Sequence, residues 1–488
     1  MSEEKGSSGL KIDALKEMCP ETPLVAGGRG EAVVVVGEDA AHGALAERVV
    51  ARIEEMTGAK LPVVKAGGVE AGPLGKQHVI ALGNMADNPF LRWLYYQWWA
   101  VEDRRYPGAG GYALRTLHNP LGNGKNAALV CASDGAGLER AASRFLALMP
   151  EGKSLTLGRL MEIELGPGFD GTIGHREYHQ GTVDFVSHPA ADWLQERRDQ
   201  YIRQATQPHA SAATAGGFLV AQAGLNGLMY HRTGHAAYAE AVREAVDAHR
   251  LMDVQGDMAH FNLWWLAVIW DLIEESPVFS DEDRLRITRH LLWILDSREG
   301  AYYPFFRQGL THRMMRQNHQ TLVALAAWFG GRYFRTHYRM PEAEEWMAAS
   351  TEIFKGTMGT FKPVEDANAY QWTTLDHLLT YSLASGDMTY VENGNCRRSL
   401  DQAVFYCNNR GALPAFGDTS SALGGYPTNF LVKAGHVLQD GRAEFLLRLR
   451  GPRERLVRGF EKHFDDGLTP ETPEGMTGVR SLEVAPGF

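Results

Sequence analysis

Cysteine is scarce: the 488-residue chain has four, Cys19, Cys131, Cys396 and Cys407, and none forms a CxxC pair. That excludes a disulfide-stapled scaffold or a zinc ribbon and reads as free, mostly buried thiols. No apolar run reaches the roughly 20 residues of a membrane span. The start, Met1-Ser2-Glu3-Glu4-Lys5-Gly6, lacks the apolar centre of a signal peptide. The expectation is a soluble protein with no membrane partner, cytoplasmic as written, and periplasmic or secreted if a leader has been removed. Basic residues are outnumbered, 49 Lys and Arg against 59 Asp and Glu, for a net charge of −10. A general nucleic-acid binder needs the opposite balance. A polyanionic sugar is still compatible, because a small basic pocket fits in an acidic protein. No GxGxxG stands at a strand-to-helix turn and no Walker motif is present, so no nucleotide site is expected. Neither a cofactor nor a metal is expected.

The chain is ordinary in its apolar (44%) and charged (22%) fractions, as a folded globular protein should be. Its length implies more than one domain. Residues 1 to about 165 alternate strand and helix patterns. Ala32-Val33-Val34-Val35-Val36-Gly37 is a short β-branched run ending in Gly, the mark of a buried strand. Further strands are expected at 61–64, 78–83, 127–131 and 160–164, with helices at about 44–56 and 135–148. This is a small α/β domain, read as an accessory scaffold.

Residues 166–190 are rich in Gly and polar residues and read as a linker. From about 191 to 465 long helical patterns follow one another. Phe261 to Glu275 is apolar and aromatic almost all round, so buried on most sides. Asp281 to Leu295, behind Pro277 and Ser280, is amphipathic. The alternation repeats: further inner helices are expected at 209–230, 318–336 and 370–384, and outer ones at 236–250, 342–356 and 396–410. A helical hairpin cannot bury its inner face alone, so hairpins stack. The fold class is therefore multidomain, a small N-terminal α/β domain followed by an (α/α) toroid. Residues 466–488 read as a tail, with Ser481 to Ala485 resembling the start of a strand.

Two segments carry chemistry. His312-Arg313-Met314-Met315-Arg316-Gln317-Asn318-His319 leads into an inner helix, and His312, Arg316 and His319 share a face if the helix starts a turn early. Arg, Asn and His clustered at the mouth of a helical barrel are costly to desolvate for packing alone. The second segment, Glu365 to His377, places Asp366, Tyr370, Thr374, His377 and Tyr381 on one helical stripe where a core helix would carry Leu and Val. A capped helix start and an aromatic packing stripe are the structural alternatives. His319 and Tyr370 are 51 residues apart, one helical hairpin. Their helices should be neighbours with starts at the same end, so that the side chains converge.

With the helix Trp264 to Glu275 and its Ser280-to-Arg284 continuation, Asn318-His319, Glu365-Asp366 before Tyr370, and Leu413-Pro414-Ala415-Phe416-Gly417-Asp418, residues 190–460 resemble the toroid lyases of the heparinase II/III-like and alginate or oligoalginate lyase group. The resemblance implies β-elimination on an acidic, uronate-containing polysaccharide or oligosaccharide, by a carbon–oxygen lyase. Asn318 would neutralise the uronate carboxylate, Tyr370 would protonate the leaving oxygen, and His319 or Tyr370 would take the C5 proton according to the C5 epimer. Arg316 is a further carboxylate partner by position. His312, Asp366, Trp372, His377 and Asp418 complete the expected substrate side, although Gly417-Asp418 reads first as a structural cap and only second as a substrate contact. Relatives usually carry a β-sandwich after the toroid. A glycoside hydrolase with paired carboxylates (from Asp253, Asp257, Glu365, Asp366 and Asp418) and a non-catalytic glycan binder are the competing readings.

Overall fold

The computed structural model describes residues 10–67, 72–150, 152–167, 169, 172–174, 182–184, 212–251, 262–296, 318–363, 368–408, 411, 413–414, 417, 427–449 and 460–474. The N-terminal region is α/β. Its strands are β1 (Thr22–Ala26), β2 (Arg29–Gly30), β3 (Ala32–Val36), β4 (Val63–Lys65), β5 (His78–Gly83), β6 (Tyr112–Leu117), β7 (Ala127–Ala132), β8 (Leu155–Leu157) and β9 (Met161–Glu164). Six of them form one sheet in the order β4-β3-β5-β7-β6-β9, parallel through β7 and antiparallel at β6 and β9. β2, β1 and β8 form a separate antiparallel sheet. Every residue of β3, β5 and β7 is buried, which is why these strands read as unbroken apolar runs rather than alternating ones.

Helix α1 (Ala40–Thr57) starts where the Asp39 carboxylate accepts from the Ala41 N–H at 2.7 Å. It stops at Gly58, whose φ of 76° is left-handed. Helix α2 (Pro89–Tyr96) is capped by Asn88 with Pro at its first position, and α3 (Gly135–Ala147) by Asp134. The segment expected to be a linker carries a two-stranded antiparallel pair, β10 (Thr172–Gly174) and β11 (Thr182–Asp184).

Residues 212–449, as far as described, are mainly helical: α4 (Ala212–Thr233), α5 (Ala236–Leu251), α6 (Leu263–Ile273), α7 (Asp281–Asp296), α8 (Asn318–Tyr338), α9 (Pro341–Met358), α10 (Asn368–Ser385), the single turn α11 (Thr389–Glu392), α12 (Asn395–Tyr406), α13 (Thr428–Leu438) and α14 (Gly441–Leu449). The inner helices α4, α6, α8, α10 and α13 pack side by side in chain order. The outer helices α5, α7, α9 and α14 back the helices α4, α6, α8 and α13 that precede them, and α12 packs against α13 and α14. Close approach of α4 to α6 depends on two glycines: a Cβ at Gly224 would lie 2.6 Å from the Trp265 Cβ, and one at Gly227 would lie 2.5 Å from Ile269 Cγ1.

The inner helices share one polarity, because the α/β region meets them all near their C-terminal ends. Tyr106 donates to the Arg232 carbonyl at 2.7 Å, and Arg115 to that of His231, at the end of α4. Trp99 Nε1 donates to Asp271 of α6 at 3.0 Å. Arg332 of α8 donates to the Gln97 carbonyl at 2.9 Å, and Gln97 to the Ala384 carbonyl of α10 at 2.7 Å. Tyr96 meets His436 of α13 at 2.6 Å. One apolar core therefore runs from Tyr95, Trp98 and Tyr106 into all five inner helices.

Residues 460–474, part of which was expected to be a tail, pack between these parts. Asp466 binds His436 at 2.7 Å, and the Glu471 N–H donates to the Gly441 carbonyl at 2.9 Å. Ser481 to Ala485 lie outside the described residues.

Candidate functional site

Asn318 and His319 are the first two residues of α8, and Tyr370 is the third of α10. The two helices are neighbours of like direction, so both starts lie on the side away from the α/β region. A side-chain contact fixes their register. Thr321 Oγ1 donates to the Asn318 carbonyl at 2.8 Å and lies 2.9 Å from His377 Nδ1. A hydroxyl has one proton to give. With it committed to Asn318, the His377 ring must donate from Nδ1 to Thr321. The contact thus links the first turn of α8 to the third turn of α10.

Asn318 is buried; His319 and Tyr370 are half-buried. Burial alone pushes the His319 pKa below its ordinary value. A histidine so placed is neutral at neutral pH and can accept a proton.

The remaining expected residues divide. Trp372 has no exposed surface, and its ring packs against Phe430 of α13 at 5.3 Å. His377 is buried between α8 and α10. Lower on the same stripe, Tyr381 stacks on Phe354 of α9 at 4.3 Å, and its hydroxyl donates to Thr351 at 3.1 Å. Among the described residues of the stripe, Tyr370 is half-buried and Thr374, His377 and Tyr381 are buried; His377 and Tyr381 pair with neighbouring helices, while the Thr374 hydroxyl has no hydrogen-bond partner. His312, Arg316, Asp366 and Asp418 lie outside the described residues, as do the hydrolase candidates Asp253, Asp257 and Glu365.

Sequence reasoning missed a buried ion cluster. Lys433 of α13 binds both Asp376 of α10 and Glu461. Lys433 and Glu461 are essentially unexposed. Burial would discharge Lys433, but the two carboxylates hold its pKa above the ordinary lysine value. A lysine in the middle of the apolar run Phe430-Leu431-Val432-Lys433-Ala434 was the available signal.

Among the described residues, no group of three or more His, Cys, Asp or Glu side chains could hold a metal ion, and no helix is long and apolar enough to cross a membrane. No protein-family model matches the chain, and no curated protein matches it.

Proposed function

We propose that this chain is a polysaccharide lyase that cleaves a uronate-containing glycan by β-elimination. The reading rests on one observation: Asn318-His319 and Tyr370 stand at the like-facing starts of two inner helices tied together through Thr321 and His377. The C5 proton of a uronate is too weakly acidic to remove until the adjacent carboxylate is neutralised. In this reading Asn318 donates to that carboxylate and stabilises the enolate-like transition state. Neutral His319 or Tyr370 takes the C5 proton, and the Tyr370 hydroxyl protonates the departing 4-linked oxygen. Arg316, two residues before Asn318, adds a guanidinium for the carboxylate.

Two further features favour an anionic substrate. The inner helices direct their N-terminal ends to the same side, and the helix dipole places partial positive charge there. The opposite side is occupied by the α/β region. In the finer fold we propose, the five hairpins form an (α/α) toroid whose seam lies between α4 and α13.

The test is incubation of the full chain with a panel of anionic polysaccharides, including alginate and glycosaminoglycans, while ultraviolet absorbance is followed. A lyase leaves a conjugated 4,5-unsaturated uronate. New reducing ends without absorbance would instead identify a hydrolase, and binding without cleavage a glycan-binding protein.

A further inference from the structure

Residues 460–466 make contacts that their sequence did not advertise. Phe460 stacks on Trp98 of the α/β region at 4.8 Å and on Trp265 of α6 at 5.6 Å, and meets Trp264 edge-on at 5.3 Å. The Glu461 carbonyl accepts from Arg232 of α4 at 2.9 Å, while its carboxylate binds Lys433 of α13. The same residue therefore holds the first and the last inner helix. Lys462 is buried, donates to the Tyr95 carbonyl and lies 4.1 Å from the ring centres of Tyr95 and Trp98. Phe464 donates its N–H to Tyr95 Oη at 2.9 Å, and the Asp465 carbonyl accepts from the Arg104 N–H at 3.0 Å.

Lys433 carries this hold further. Its second partner, Asp376, sits on α10 next to His377, whose ring meets Thr321, which in turn binds the Asn318 carbonyl. A series of contacts runs from Glu461 through the middle of α10 to the start of α8. Ions buried this deeply are expensive to maintain, and an apolar core of equal volume is often more stable. What such a cluster supplies is a defined arrangement, because any slip leaves a charge unpaired.

We infer that Phe460–Asp466 is a clasp joining the two ends of the helical series, and that Lys433 is a positioning residue that transmits the clasp's hold through Asp376 to α10 and the Asn318-His319 site. The positional role in turnover rests on the lyase reading; the clasp itself does not.

The experiment compares wild type, Glu461→Gln and Lys433→Met in the full chain by amide hydrogen exchange and by steady-state kinetics on a uronate polymer. Exchange of the slowest amides in α10 and α13 should rise about tenfold or more, while the strands β3, β5 and β7 keep wild-type rates, since opening is regional. The kcat should fall about tenfold with KM changed less than about twofold, as expected when geometry rather than binding is lost. Glu461→Gln keeps the shape and an amide oxygen for Lys433, so it carries the test if Lys433→Met fails to fold. Faster exchange confined to 460–474, or spread equally over the sheet, overturns the clasp. Wild-type kcat in a variant whose α10 exchange has risen overturns the positioning role. If the wild type yields no unsaturated product, the lyase reading falls, and the exchange pattern alone decides the clasp.

Discussion

Replacing Lys16 with Met should detach the N-terminal segment from the helical region, and the cost should depend on pH in a defined direction. Lys16 is buried, and its ammonium pairs with Glu274 at 3.0 Å and Glu275 at 2.8 Å at the end of α6. Burial disfavours its charge, but the two glutamates overcome that and hold its pKa above the usual lysine value. Its backbone N–H also donates to Tyr338 Oη at 3.2 Å, and Glu274 accepts from the Tyr333 hydroxyl at 2.6 Å. Methionine fills the same space without the charge, leaving two adjacent buried carboxylates that repel each other. Breaking a buried pair from one side costs about 3–5 kcal/mol. Without the ammonium, burial and mutual repulsion raise the folded-state carboxyl pKa above the unfolded value of about 4.3. A folded pKa so raised means that the variant's deficit is smallest below the unfolded pKa and grows as pH climbs through the folded one. Urea unfolding at pH 7.5 and pH 5 checks this, with Lys16→Met/Glu275→Gln as a partial rescue. A deficit below about 1 kcal/mol at pH 7.5, or one equal at both pH values, would refute the reasoning.

Asn318→Ala should lower turnover on a uronate polymer about 10²–10³-fold, the usual cost of one transition-state donor, and, because Asn318 is buried, should also lower the melting temperature; normal turnover of the folded variant would remove Asn318 from the site. Tyr370→Phe keeps the ring and removes the transferable proton, so it should abolish most product formation while glycan binding, read by calorimetry, survives; a fully active Phe variant would make Tyr370 a packing residue. The outer-layer pair His249 and His290, buried with Nδ1 of one 2.7 Å from Nε2 of the other, should make the fold acid-sensitive. Burial first, then the neighbouring His249, pushes the His290 pKa well below the usual value, so its stabilisation is complete above the unfolded pKa of about 6.5 and is lost as pH falls below it. Urea midpoints between pH 7.5 and pH 5.5 should drop for wild type and drop less for His290→Leu.

Much of this architecture is legible because burial writes periodicity into sequence. The run at 32–37 became β3, and the apolar stretch at 261–275 became the inner helix α6. The helices α4, α8 and α10 lie within a few residues of the expected spans. What escaped notice had a mixed signal. β6 reads Tyr-Ala-Leu-Arg-Thr-Leu, and its Arg115 is buried because Glu102 pairs with it at 2.6 Å, a partner no local pattern reveals. The last hairpin, α13 and α14, carries Lys433 and Glu444 on buried positions, so its apolar face looks broken. The site was legible in the same uneven way. Asn318, His319 and Tyr370 stand at helix starts as their spacing implied, whereas the stripe beyond Tyr370 turned inward, because polar side chains that pair across helices look in sequence like side chains that await a ligand.

The charged residues of the α/β region explain why it is fused to the helices rather than appended to them. An α-helix leaves its last four carbonyls without partners inside the helix. A row of inner helices pointing the same way gathers these carbonyls at one end, where burial would be costly. The α/β region brings donors to that end: Arg115 to His231, Tyr106 to Arg232, and Gln97 to Ala384. Cations follow the same logic, with Lys16 at the end of α6, where the helix dipole is negative and two glutamates add to it. Arg332 lies over the Trp99 ring at 4.4 Å, with its pKa lowered to about 10 by burial. The α/β region thus meets the inner helices near their C-terminal ends, and the candidate residues Asn318, His319 and Tyr370 stand at the opposite end of α8 and α10.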